Sequence, residues 1–170
     1  MNLTSGKLNY TRLSPADLQL YARLVMNDAV MKYITGKALT KDEAEQRFQK
    51  AVDTNNTNVE AGFFIVRNKL DETFIGVVKL VELDNNKAEV GYMLVPEHWG
   101  QGYASEMVER MIALARENKI AGELIGIVDP ENPASIRVLT KFGFKLYDTG
   151  QIDGLAAAYY KLKLPDTRKM

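Results

Sequence analysis

Cysteine is absent from this 170-residue chain, and histidine and tryptophan occur once each. Without cysteine there is no disulfide, no thiolate metal site and no cysteine-linked acyl intermediate, and the absence fits a cytosolic protein. The lone histidine, His98, argues against both a Ser/His triad and a histidine metal site, so no metal is expected. An excess of either charge is missing too. Lys+Arg and Asp+Glu stand at 22 each, so nothing marks a nucleic-acid surface. No run of apolar residues approaches membrane-spanning length, and the opening residues Met1–Ser14 lack the apolar core of a secretory signal. These absences lead us to expect a soluble, cytoplasmic protein with neither a membrane nor a nucleic acid as partner.

What is present is ordinary globular material, with a 46% hydrophobic and a 26% charged share, and one domain over residues 1–170 is the natural reading. Lys7–Leu13 reads as a first strand. Ser14-Pro15-Ala16-Asp17 then supplies an N-cap, a proline at the first helical position and an acid in the first turn. Leu18, Tyr21, Leu24 and Val25 form the apolar stripe of the helix that follows, which Asn27-Asp28 ends. Thr40-Lys41-Asp42-Glu43 is a capping box for a second helix. Its inner face carries Ala44, Phe48, Ala51 and Val52, with Glu43 and Arg47 paired outside. The Asn/Thr-rich Asp53–Val59 reads as loop, and Ala61–Arg67, Thr73–Leu83 and Ala88–Val95 as strands joined by turns. Later, Glu123–Val128 reads as a buried strand, Asn132-Pro133 opens a helix that Gly143 closes, and Phe144–Thr149 and Leu155–Leu164 are two strands around a Gly150–Gly154 turn. The order is βααβββαβαββ, a mixed α/β domain.

The stretch Val95-Pro96-Glu97-His98-Trp99-Gly100-Gln101-Gly102-Tyr103-Ala104-Ser105 is the most informative. Pro96 stops the strand before it, because proline cannot donate to a sheet ladder. After it, Ala104, Met107, Val108, Met111, Ile112 and Ala115 share one helical face. Strand, glycine turn and helix in that order bring unpaired N–H groups and positive dipole potential to a point where Gly100 and Gly102 allow close approach. An anion, most simply a phosphate, fits there. Spacing alone leaves a plain turn equally open. A Walker loop is excluded by the missing G-K-S/T, and the dinucleotide fingerprint would need a glycine at Ser105. A nucleotide-dependent oxidoreductase is therefore a poor alternative.

These residues resemble the acetyl-CoA loop of the GNAT N-acyltransferase superfamily, in which Arg or Gln is followed by a glycine three residues on and a glycine or alanine two further. Gly102 and Ala104 match the last two positions; Trp99 departs from the first. Asn132-Pro133-Ala134-Ser135 through Lys141-Phe142-Gly143-Phe144 resembles the superfamily's second motif. With Glu89-Val90-Gly91-Tyr92, the pattern is most similar to the Rim-type branch, which includes acetylases of ribosomal-protein N-termini. The resemblance is dense from about Thr73 to Phe144. It implies the GNAT acyl-CoA N-acyltransferase fold and acetyl-CoA as co-substrate. The implied reaction is direct attack of a primary amine on the thioester in a ternary complex. The acceptor would be a protein N-terminus or a small amine, and a homodimer is among the expected partners. A non-catalytic acyl-CoA-binding or regulatory module is the alternative.

The same resemblance assigns residues. Two parallel strands, Ala88–Val95 and Glu123–Val128, would splay apart. The pantetheine arm would pair along Met93, Leu94 and Val95, through the backbone groups of Met93 and Val95. Gly100, Gln101, Gly102, Tyr103, Ala104 and Ser105 would hold the pyrophosphate. Many members protonate the departing thiolate with a tyrosine where this chain has Leu139; the Rim-type pattern suggests Ser135, with Asn132 holding the pantetheine or the sulfur's surroundings. Asn132 and Ser135 are equally well explained as an N-cap and its third helical residue. Glu89 is the candidate base. Strand alternation sets it with Gly91 and Met93, opposite Val90 and Tyr92, so the face it occupies decides its role. Tyr147 is read as core packing with some reach toward the cleft, His98 as a loop residue, and Glu106 as the outer-face partner of Arg110.

Overall fold

A computed structural model describes residues 3–165. Its elements are β1 (Leu3–Thr4), β2 (Leu8–Arg12), α1 (Leu18–Val25), α2 (Asp28–Met31), α3 (Lys41–Thr57), β3 (Gly62–Asn68), β4 (Phe74–Leu83), β5 (Lys87–Leu94), α4 (Tyr103–Glu117), β6 (Glu123–Val128), α5 (Pro133–Lys141), β7 (Lys145–Ile152) and β8 (Leu155–Lys163). The expected order is present, with a two-residue strand and a one-turn helix added. Asn27 both follows α1 and caps α2, its Oδ1 accepting the N–H groups of Ala29 at 2.9 Å and Val30 at 3.2 Å.

The strands form one sheet in the order β1-β2-β3-β4-β5-β6-β8-β7. Every neighbouring pair is antiparallel except β5 and β6. One face packs on α1–α3 through Leu13, Tyr21, Leu24, Val25, Phe48, Val52, Ile65 and Val77. The other packs on α4 and α5 through Val78, Leu80, Val90, Met107, Met111, Leu124 and Leu139. Each such large side chain taken fully out of water contributes about 1.5–3 kcal/mol, which holds both layers on the sheet. At Gly126 of β6, α5 packs directly on the bare backbone: a Cβ there would lie 2.7 Å from Leu139 Cδ1. Leu139 thus sits in the core at 2% exposure, over the bare glycine.

Several local expectations are corrected. The Asn/Thr-rich tract is helical to Thr57, because tertiary contacts override weak propensity. Asn55 Nδ2 donates to the carbonyls of Leu13 and Phe63, both at 2.9 Å, and Asn55 Oδ1 accepts the Phe63 N–H at 2.7 Å. The Arg12 guanidinium donates to the carbonyls of Asn55, Asn58, Val59 and Ala61, satisfying the end of α3. Glu43 turns to its own N-cap, accepting the Thr40 N–H at 2.9 Å, and no Glu43–Arg47 ion pair forms. Glu106 does not pair with Arg110 either. It accepts from Ser5 Oγ at 2.6 Å and from the Lys7 N–H at 3.1 Å, while Arg110 donates to the Thr4 carbonyl at 2.9 Å and pairs with Glu117 at 3.3 Å. Both tie the first hairpin to α4. At the chain's last hairpin, Gly150 lies within β7, and the turn is Asp153-Gly154, both with positive φ (50° and 83°).

Candidate active site

β5 and β6 pair in parallel only from Lys87↔Glu123 to Glu89↔Ile125. Beyond that register they diverge, leaving Val90–Leu94 on one side and Gly126–Val128 on the other with no mutual ladder. β5 keeps its ladder to β4 as far as Leu94, and Pro96 then starts a turn in which the Val95 carbonyl accepts the His98 N–H at 3.0 Å. A parallel pair opened in this way presents a free backbone edge to an extended ligand.

Two open cavities meet at the gap. The first, of about 620 Å³, lies on the α1–α3 side and is lined by Tyr21, Arg47, Phe63, Lys79, Glu89, Asp153 and Leu155, among others. The second, of about 790 Å³, runs on the α4–α5 side from Gly100, Gly102, Tyr103, Ala104 and Ser105 to Asn132 and Ser135. Tyr33, Ile34, Gly91, Tyr92, Met93, Ile127, Val128 and Asp129 line both. The gap between the strands, bordered on one side by Tyr33 and Ile34, is therefore where a group in one cavity can meet a group in the other.

At the outer end, Gly100 and Gly102 have φ of 72° and 84°, and a Cβ on either would meet no atom within 4 Å. Gly102 is the N-cap of α4, and no side chain caps that helix. Its first-turn N–H groups thus face open space at the positive end of a 15-residue helix, which suits an anion. Gln101 is exposed, donates to the Glu97 carbonyl at 3.1 Å and does not line the cavity. Trp99 is 48% exposed, and its indole donates to the Leu94 carbonyl at 2.9 Å, pinning the loop to the strand end. His98 packs edge-on against Tyr103, with ring centroids 6.0 Å apart. The turn itself, Val95 to Ser105, contains no lysine or arginine. The fold brings three from elsewhere: Lys32 after α2, and Arg137 and Lys141 one turn apart on α5. The i, i+4 spacing of the last two was the available signal.

The strand edge corrects one assignment. The Val95 N–H donates to the Ile75 carbonyl at 3.0 Å, so both of its backbone groups are engaged, and Val95 lines neither cavity. In an antiparallel ladder the polar groups of alternate residues point to the same neighbour. With Val77 paired to Met93 in the same register, the Met93 backbone also turns toward β4. The groups facing the gap are those of Tyr92 and the Leu94 N–H, the Leu94 carbonyl already accepting from the Trp99 indole.

At the gap itself, the two faces carry different chemistry. Glu89 lies with Gly91 and Met93 on the α1–α3 side, where Lys79 Nζ is 3.0 Å from its carboxylate. On the other face, Tyr92 Oη donates to Ser135 Oγ at 3.0 Å, and Asn132 Nδ2 donates to the same oxygen at 3.1 Å. Asn132 Oδ1 accepts the Ser135 N–H at 3.3 Å, so the asparagine caps α5 and holds the serine hydroxyl at once. The two readings of Asn132 are compatible. In the sequence Tyr92 has a place in the Glu89–Tyr92 pattern and a strand face, and no expected role in the site. Burial raises its phenol pKa, and the Ser135 hydrogen bond opposes that rise. Leu139 offers no hydroxyl; it is packed in the core and borders the second cavity with an apolar side chain. Tyr147 is neither core nor cleft: it is 41% exposed on β7, beneath Lys161 at 5.0 Å. Among the described residues, no group of three or more His, Asp or Glu side chains is placed to hold a metal ion.

Known proteins resemble this chain in sequence and in fold. A protein of Bacillus subtilis (strain 168), the uncharacterized YkkB, is 34% identical over 149 residues, covering 83% of each chain. The uncharacterized N-acetyltransferase p20 of Bacillus licheniformis is 27% identical over 164 residues, covering 95% of this chain and 88% of p20. Among solved structures, RimL, a ribosomal L7/L12 α-N-protein acetyltransferase in complex with coenzyme A, superposes with a TM-score of 0.81 at 15% identity, covering 96% of this chain and 98% of that one; at that identity the likeness is one of fold. The family model for the acetyltransferase (GNAT) domain matches residues 7–145, from β2 through the open β5–β6 pair to the end of α5, and the chain belongs to the GNAT acetyltransferases.

Proposed function

We propose that this acetyltransferase moves the acetyl group of acetyl-CoA onto a primary amine by direct attack in a ternary complex. The observation that carries the reading is the meeting of the two cavities at the β5–β6 gap, with Glu89 on one side and the Tyr92–Ser135–Asn132 group on the other. The coenzyme lies in the larger cavity. Its pyrophosphate rests on the N–H groups at the start of α4, and Arg137 and Lys141 supply the countercharge. Its pantetheine arm extends along the edge of Tyr92 and Leu94. The thioester then stands in the gap.

The acceptor enters through the smaller cavity. An amine attacks only as the free base, so its proton must leave, and Glu89 takes it directly or through water. For that the carboxylate must be released in part from Lys79, which lies 3.0 Å away. Attack forms the C–N bond and a tetrahedral oxyanion; collapse breaks the C–S bond and leaves charge on sulfur, next to Ser135. The acceptor is a protein N-terminus, as in the Rim-type enzymes this chain resembles, or a small amine. The open, mixed-charge cavity, with Arg47, Lys79, Glu89 and Asp153 among its lining, accommodates either.

The test is release of free thiol from acetyl-CoA with a panel of short peptides bearing free α-amines, polyamines and amino acids. Turnover with one class identifies the acceptor. Binding of acetyl-CoA without thiol release from any amine would favour an acyl-CoA-binding module.

A further inference from the structure

The hydroxyl of Ser135 has a specific hydrogen-bonding balance. A serine hydroxyl has one donor and two acceptor sites. Here both acceptor sites are filled by donors, Tyr92 Oη at 3.0 Å and Asn132 Nδ2 at 3.1 Å. The orientation of the Asn132 amide is set independently, because its Oδ1 takes the Ser135 N–H. With both lone pairs engaged, the Ser135 proton cannot be given to Tyr92 or to Asn132. All three side chains line the coenzyme cavity, and Tyr92 also reaches the acceptor side.

We propose that Tyr92 is a positioning residue for Ser135: by donating to its oxygen, it directs the Ser135 O–H into the gap, where the departing thiolate forms. The proposal rests on the preceding reading that the thioester is cleaved there. The relative acidities fix the kind of help given. A thiol ionises near 8.5 and an ordinary tyrosine near 10, with an aliphatic hydroxyl weaker still. Burial moves Tyr92 further from the thiol. Neither hydroxyl surrenders its proton to a thiolate under these conditions. Ser135 therefore stabilises the leaving sulfur by donating a hydrogen bond to it, and Tyr92 and Asn132 remain protonated and amidic throughout. The electron pair of the C–S bond goes to sulfur as the amine lone pair closes the C–N bond. The amine proton leaves by Glu89 or water, and the thiolate takes its proton from solvent.

The decisive experiment is a double-mutant cycle of Tyr92→Phe and Ser135→Ala, assayed for kcat and for the acetyl-CoA KM well below the melting temperature of the least stable variant. Tyr92→Phe removes one hydroxyl and keeps the ring that packs on the core. We expect kcat to fall on the order of tenfold, as when one hydrogen bond is lost, with the acetyl-CoA KM unchanged. In the Ser135→Ala background, Tyr92→Phe should have no further effect. A slow Ser135→Ala beside a Tyr92→Phe with wild-type kcat overturns the proposal and leaves the role of Ser135 intact. An undiminished effect of Tyr92→Phe in the Ser135→Ala background also overturns it, since Tyr92 would then act without the serine. Wild-type kcat in Ser135→Ala removes the underlying reading of the serine. A second readout needs no turnover: the ultraviolet thiolate absorbance of bound CoA. Ionisation at lower pH in wild type than in Tyr92→Phe supports the proposal, and identical titrations contradict it.

Discussion

Gly102 shows how much a single residue can decide. It caps α4 with a φ of 84°, and the space beside it is open. A side chain there meets no neighbour; the cost is the left-handed backbone, which disfavours a β-branched residue most. Gly102→Val should therefore bend the turn away from the geometry that aims the first N–H groups of α4 at the pyrophosphate. Acetyl-CoA should raise the melting temperature of wild type through binding linkage, and the variant, shown to be folded by circular dichroism, should lose that increase. Glu89 sets a second test at this scale. Glu89→Gln keeps the shape and removes the base, so turnover should fall at neutral pH and the deficit should shrink as pH rises, because more amine is already deprotonated. A deficit equal at every pH would assign Glu89 to structure through Lys79.

At the scale of elements, caps and turns were the most legible features, because their chemistry is local. Thr40 Oγ1 accepts the Glu43 N–H at 3.2 Å, and Glu43 returns the bond to Thr40. Thr40→Ala should lower stability by about 0.5–2 kcal/mol, read from denaturant unfolding. The Thr40 N–H bond holds the Glu43 carboxyl below its ordinary range. A carboxyl depressed in the folded state adds stability that is present above its unfolded pKa and is lost as pH falls through the folded value. The gap in melting temperature between wild type and Glu43→Gln should accordingly close on acidification. Features that depend on distant partners were not legible. Nothing local announces that Arg12 will cap α3, that Glu106 will leave Arg110 for Ser5, or that Val95 will have no N–H to offer. Of the site, the glycine turn, Asn132, Ser135 and Glu89 could be read from motif and spacing. Tyr92 could not, because its importance lies in reaching an oxygen 43 positions away in sequence.

Across the whole molecule, the proposed function uses the sheet to separate the two halves of the reaction. α1–α3 cover the face of the first cavity, which we propose takes the acceptor, α4 and α5 cover that of the second, which we propose takes the coenzyme, and both cavities reach the open β5–β6 pair. No helix among the described residues is long and apolar enough to cross a membrane. Every functional claim depends on the coenzyme occupying the α4–α5 side, and isothermal calorimetry of the folded protein tests this most directly. CoA and acetyl-CoA should both bind, since the α4 turn holds the pyrophosphate they share, and NAD should not. Absence of heat on titrating either CoA or acetyl-CoA into folded wild type, or equal binding of NAD, would contradict the account.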